Sequence, residues 1–167
     1  MQRYLIALGS NRWHHRHGAP RGTLAAALVA LRGAGLTILA EAPVVSSAPV
    51  GPSLRTYANG AVVVETRLAP PDLLAVLQRI EAAFGRTRRA RRWSARVLDL
   101  DIVLWSGGCW ADPQLIIPHL HFRERDFVLG PARHIRPEWR DPLTGLTLRQ
   151  LHARLTAPRP IPKPRPR

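Results

Sequence analysis

RTRRARRWSARVLDLDIVLW, residues Arg86–Trp105, changes character halfway along, and the rest of the chain is read outward from it. The first half holds six arginines within eleven residues and no acid. The second half alternates: Leu98, Leu100, Ile102 and Leu104 fall on one side, Asp99, Asp101, Val103 and Trp105 on the other. A period of two over this length predicts a strand with one apolar face. The strand places Asp99 and Asp101 on the same face, their Cα atoms about 6.6 Å apart at the usual rise.

Two carboxylates that close on an apolar strand repel each other unless a cation sits between them. A hard divalent ion such as Mg²⁺ suits the position, because it takes carboxylate oxygens and keeps places open for phosphate. Guanidinium forks bind phosphate oxygens bidentately, so metal plus arginines reads as a polyphosphate site. Each half also has a plainer reading: a solvated arginine loop, and a strand at a sheet edge facing water. Their direct succession favours the functional one. Six guanidinium groups without an acid repel, so the run is expected to stay splayed until an anionic ligand neutralises it.

A length of 167 residues with 46% apolar content predicts one domain around a single substantial core. Lys+Arg 25 against Asp+Glu 11 gives a net charge of +14, which attracts nucleotides, nucleic acid or anionic lipid without choosing among them. The lone Cys109 excludes an internal disulfide and fits a reducing compartment. No apolar run approaches the roughly 20 residues of a membrane helix, and no signal-peptide pattern opens the chain. A cytoplasmic protein is expected.

Tyr4–Leu8 reads as a buried strand closed by Gly9-Ser10-Asn11. Arg12–Arg21 reads as a polar, solvated loop whose His14, His15 and His17 lack metal-ligand spacing. Thr23–Arg32 is a packing helix (Leu24, Leu28, Leu31) stopped by Gly33 and Gly35. Leu36–Ser47 reads as one strand with a bulge or edge at Pro43, Ala48–Thr56 as a loop, and Tyr57–Thr66 as a β-branched strand. Pro70 and Pro71 open a helix with Asp72 in its first turn. Leu73, Leu74, Leu77, Ile80 and Phe84 form its stripe, Gly85 ends it, and Gln78 and Glu81, three apart, share a face. Beyond the turn at Gly107-Gly108, Leu115–Ile117 is extended. Asp126–His134 and Thr147–Leu155 read as helices, the second capped by Thr147.

Residues 157–167 alternate proline with basic residues and read as a disordered or polyproline tail, leaving 1–156 as the domain. Strands and helices mix without regular βαβ alternation. That predicts an α+β fold: a ferredoxin-like, antiparallel or mixed sheet with helices packed on its faces. No glycine-rich phosphate loop is present, so arginines and metal would have to hold any nucleotide phosphates.

Arg92-Trp93-Ser94-Ala95-Arg96-Val97-Leu98-Asp99-Leu100-Asp101-Ile102, then Pro118-His119 and Glu124–Leu129, resemble the 6-hydroxymethyl-7,8-dihydropterin pyrophosphokinase family. The resemblance runs from Gly9-Ser10-Asn11 to about Leu155. It implies a ferredoxin-like monomer that transfers pyrophosphate from ATP to the pterin hydroxymethyl group, releasing AMP, in folate biosynthesis. It implies two Mg²⁺ ions on Asp99 and Asp101, with Arg86 and Arg96 completing the catalytic set. Gln78, Glu81, Arg86, Arg88, Arg96, Ile102, His119 and Arg125 match positions that contact ATP. Tyr57 and Phe127 match the aromatic pair around the pterin, and Asn59 a residue on its edge. Trp93 and Asp99 also match the pterin site, and Ser47, Ala48 and Val50 fall in its loop. The partners implied are these two small molecules, with no nucleic acid and no membrane.

The chain departs from the family pattern at Ser94-Ala95 (usually Gly-Pro), Leu120-His121 (often Pro-Arg) and Ser47-Ala48 (usually Thr-Pro). These bear on rate and affinity more than on reaction type. No side chain stands out as a general base. Two alternatives stay open at this level: a non-catalytic pterin-binding relative, and a basic nucleic-acid-binding module.

Overall fold

A computed structural model describes residues 1–47, 57–85 and 97–158. The elements are β1 (Gln2–Ser10), α1 (Pro20–Gly33), β2 (Thr37–Glu41), β3 (Val45–Ser47), β4 (Tyr57–Thr66), α2 (Pro70–Ala83), β5 (Asp99–Trp105), β6 (Trp110–Ala111), β7 (Ile116–Ile117), α3 (Asp126–Ile135) and α4 (Leu148–Thr156). A 3-10 turn, Phe122–Glu124, precedes α3. The main sheet runs β2-β4-β1-β5, with β3 also on β4, and all its pairs are antiparallel. This is the ferredoxin-like α+β arrangement expected from the sequence. β6 and β7 form a small sheet of their own.

Each face of the main sheet carries its own core. On one face Ile6, Leu8, Val62, Leu98, Leu100 and Ile102 pack with Leu24 and Leu31 of α1 and Leu73, Leu77 and Ile80 of α2. On the other, Leu5, Ala7, Ala61, Val63 and Val103 pack with Val128 and Leu129 of α3 and Leu148 and Leu151 of α4. Burying one such large apolar side chain contributes about 1.5–3 kcal/mol. Proline at the first turn starts α2, as the sequence indicates, and also α1, which begins at Pro20 and not at the expected Thr23. A reciprocal capping box between Thr147 and Gln150 starts α4. No helix among the described residues is long and apolar enough to cross a membrane.

Three expectations are corrected. First, the alternation of β5 breaks at Val103: Leu5 pairs with Leu104 but Ile6 with Ile102, a bulge of one residue. A slip of one exchanges faces. Leu104 therefore joins Val103 in the α3/α4 core, and Trp105 stacks on Tyr4 at 6.3 Å on the opposite side. Leu98 to Ile102, with the two aspartates between them, keep their predicted sides. Second, Leu36–Ser47 is two strands. Glu41 lies opposite Val62 and Val45 opposite Asn59, so four steps here match three on β4. Pro43, which cannot donate to a ladder, sits in the break. Third, the Arg12–Arg21 loop is not solvated throughout. His14 is buried, its ring 4.5 Å from both His15 and His17 and 5.7 Å from Phe84 at the end of α2. Burial, then the charges of His15, His17 and Arg16, lower its pKa.

Candidate functional site

The α3/α4 face of the sheet changes chemistry along its strands. Ala7 lies opposite Ala61 on β4 and Asp101 on β5. One same-face step further, Gly9 lies opposite Asn59 and Asp99. β3 adds Val45 opposite Asn59 and Ser47 opposite Tyr57. Alternation thus sets Asp99, Asp101, Asn59 and Tyr57 on one face, across three neighbouring strands. Ala7 and Gly9 keep the middle strand low between them; a Cβ at Gly9 would already touch Asn59 Oδ1 at 3.7 Å. Asn59 is buried, whereas the Asp101 side chain is 39% exposed.

The segment leading into α3 borders this row. The His119 N–H donates to the Val103 carbonyl at 3.0 Å, tying the segment to the bulge of β5. Arg123 donates two bonds of 2.7 Å to Asp141, which is fully buried and also accepts from Thr144 Oγ1 and the Leu143 N–H. Burial pushes the Asp141 carboxyl up, but the bonds from Arg123, Thr144 and Leu143 outweigh it and hold the pKa below its ordinary value. Arg125 is the N-cap residue of α3, and its guanidinium lies 5.8 Å from the Phe127 ring centroid, a cation–π contact.

His119 is poised as a neutral donor. Its Nδ1 accepts the His121 N–H at 3.2 Å, so the proton of the neutral ring belongs on Nε2. Nε2 lies 4.0 Å from Asp101 Oδ2. Burial, followed by the charges of Arg125 and His121, lowers the pKa to about 4 against the opposing pull of Asp99. At neutral pH the ring therefore faces Asp101 uncharged, and the contact is not an ion pair.

β5 is an edge strand of the main sheet, and α2 covers part of its outer side. Glu81, 4% exposed, accepts the Leu100 N–H on Oε1 at 2.8 Å, between the two aspartates in sequence. Gln78 is exposed one turn earlier on the same helix. Ile102 is buried in the α1/α2 core, which leaves its main chain as the part a ligand could touch.

Asp99 and Asp101 offer hard oxygen donors on one face, and among the described residues no group of three His, Cys, Asp or Glu could hold a metal ion. Zinc generally takes three or four nitrogen and sulfur ligands, whereas Mg²⁺ is bound by one or two carboxylates together with water and phosphate oxygens. The donor pair fits Mg²⁺. Ala48, Val50, Arg86, Arg88, Trp93 and Arg96 lie outside the described residues, as do the side chain of Ser47 and residues 159–167. Two supports of the site were not read from the sequence: the Arg123–Asp141 anchor and the Glu81 bond to the strand backbone. Asp141-Pro142 signals a turn, but no local pattern points to its partner.

The family described as 7,8-dihydro-6-hydroxymethylpterin-pyrophosphokinase (HPPK) matches residues 5–137. The chain is 40% identical over 144 residues to the 2-amino-4-hydroxy-6-hydroxymethyldihydropteridine pyrophosphokinase of Pseudomonas aeruginosa, covering 85% of each protein. It is 36% identical over 157 residues to the enzyme of that name from Methylorubrum extorquens, covering 93% of this chain and 94% of the other. A crystal structure of Plasmodium falciparum HPPK-DHPS superposes with a TM-score of 0.70 at 15% identity, which speaks to the fold. The match covers 92% of this chain and 44% of that longer one.

Proposed function

The chain belongs to the 7,8-dihydro-6-hydroxymethylpterin-pyrophosphokinase family and is a pyrophosphokinase of folate biosynthesis, and from that premise we propose how its site works. The co-substrates are ATP and 6-hydroxymethyl-7,8-dihydropterin. The hydroxymethyl oxygen attacks the β-phosphorus of ATP, a new O–P bond forms, the bond from that phosphorus to the α,β-bridging oxygen breaks, and AMP leaves. The hydroxyl proton passes to solvent. The carrying observation is the row Asp99, Asp101, Asn59 and Tyr57 on one sheet face, with Phe127 at the start of the helix that borders it.

Asp99 and Asp101 would hold two Mg²⁺ ions, which when bound neutralise phosphate charge and orient the attacking and leaving oxygens. Positioning and charge stabilisation carry most of the rate in phosphoryl transfer, so the chain's work is alignment. His119 donates Nε2–H to a phosphate oxygen without adding a charge, and Arg125 supplies a positive one. Arg86, Arg88 and Arg96 add further guanidinium contacts, and Gln78, Glu81 and the Ile102 main chain receive the rest of the nucleotide. Phe127 and Tyr57 stack the pterin and Asn59 bonds its edge. Trp93 and the loop of Ser47, Ala48 and Val50 complete its pocket. The unit is residues 1–156, acting as a monomer in the cytoplasm, with 157–167 as a tail.

Incubation with ATP, MgCl₂ and the dihydropterin, followed by nucleotide quantification, tests this. One AMP should appear per pterin consumed, and none without Mg²⁺. Formation of ADP with a pterin monophosphate would overturn it.

A further inference from the structure

The helix α4 lies beyond residue 137, where the family match ends, yet it reaches back to the site. Leu148 and Leu151 bury its inner face in the α3/α4 core, which fixes where the next residue points. That residue is His152, with a side chain only 17% exposed. Its Nε2 lies 2.9 Å from Oδ1 of Asp126. Asp126 is the first residue of α3 and stands between Arg125 and Phe127.

Two features make this contact more than a surface pair. The N-cap residue of α3, Arg125, makes no side-chain capping bond, so the helix start lacks the device that Thr147 gives α4. One turn later stands Gly130, which costs a helix stability relative to alanine. A Cβ there would sit 3.8 Å from Asp126 Oδ1 and 4.0 Å from His152 Nε2. Those are ordinary van der Waals distances, so the pair lies directly against the backbone of α3 at Gly130. An imidazole bearing its proton on Nε2 can donate it to the Asp126 carboxylate across this distance.

We propose that His152 is a positioning residue: by donating Nε2–H to Asp126 it fixes the first turn of α3, and with it Phe127 and Arg125. This rests on the reading that Phe127 stacks the pterin. His152 touches no substrate; it acts through the helix start. Losing one such bond should loosen the turn without unfolding the domain, because Leu148 and Leu151 still hold α4.

The test is steady-state kinetics on the full chain with His152→Ala, His152→Gln, Asp126→Ala and Phe127→Ala. His152→Ala and Asp126→Ala should each raise the KM for the pterin by roughly three- to tenfold, with a smaller change in kcat. His152→Gln, which keeps an N–H donor, should recover most of the loss. The His152→Ala/Asp126→Ala double variant should lose no more than the worse single, as two ends of one contact do. A merely structural role would lower the melting temperature and leave the KM unmoved below it, and that result would overturn the proposal. If His152→Ala does not fold, Asp126→Ala, at a side chain 69% exposed, decides the question alone. If Phe127→Ala leaves the pterin KM unchanged, the stacking assignment has failed, and the proposal falls with it. If Phe127→Ala raises the KM and the His152 and Asp126 variants do not, the positioning proposal alone has failed.

Discussion

Glu81 offers the sharpest test of how the site is held. Its carboxylate accepts the Leu100 N–H at 2.8 Å in a buried setting, midway between the residues that carry the two aspartate side chains. A hydrogen bond to a charged group contributes about 1.5–3 kcal/mol, and a buried donor left without its acceptor costs a comparable amount. Glu81→Ala should therefore lose about 3 kcal/mol. At about 2–4 °C per kcal/mol for a chain of this size, the melting temperature falls by about 6–12 °C. Glu81→Gln keeps an oxygen at the same reach and should lose only about 1 kcal/mol, or about 2–4 °C. Activity should follow the same order, because the start of β5 sets the spacing of Asp99 and Asp101. Thermal melts by circular dichroism, with turnover measured well below the transition, read both effects. If Gln and Ala are equally damaging in turnover while neither changes the melt, Glu81 serves as a charge toward the ligand, and its role in holding the strand is refuted.

Replacing either Asp99 or Asp101 by Asn should cut turnover on the order of a hundredfold or more. The fold should survive, since removing one of two repelling carboxylates relieves strain; near-normal turnover in either variant would contradict the metal assignment. In the metal-free protein, His119 titrates at about 4 when folded against 6.5 when unfolded. The unfolded chain then binds more protons between those values, so stability is lost as pH falls from 6.5 toward 4. His119→Gln should flatten that dependence in urea unfolding curves, and an unchanged slope would count against the neutral ring. A Cβ at Gly107 would lie 2.3 Å from the Trp105 ring, which is held by a 2.6 Å bond from its Nε1 to Gln2. Gly107→Ala should therefore lower stability by about 1–3 kcal/mol in a thermal melt, and an unaltered melt would show that the indole can move aside.

Much of this architecture was legible because it is written in short-range patterns. β-Branched content named β4 to the residue, and alternation put Asp99 and Asp101 on one face. Paired prolines began α2, and Thr147 announced α4 through a capping bond that spans three residues. What stayed hidden depends on partners distant in sequence. The bulge at Val103 exists because β1 pairs there out of step, and nothing in Ile102-Val103-Leu104 itself signals a change of face. His14 is buried because Phe84, seventy residues away, covers it. Glu81 reaches nineteen residues ahead to a backbone N–H, and Asp126 takes its partner from a helix that starts after Thr147. Local periodicity gives faces and ends; tertiary contact decides which polar groups work together.

The most direct measurement is a crystal structure with Mn²⁺ in place of Mg²⁺, a non-hydrolysable ATP analogue and the pterin, located by anomalous scattering. Metal peaks are expected between the phosphates and the carboxylates of Asp99 and Asp101, with the pterin against Phe127 and Tyr57. Metal peaks away from both aspartates, or a pterin on the α1/α2 side of the sheet, would contradict that placement.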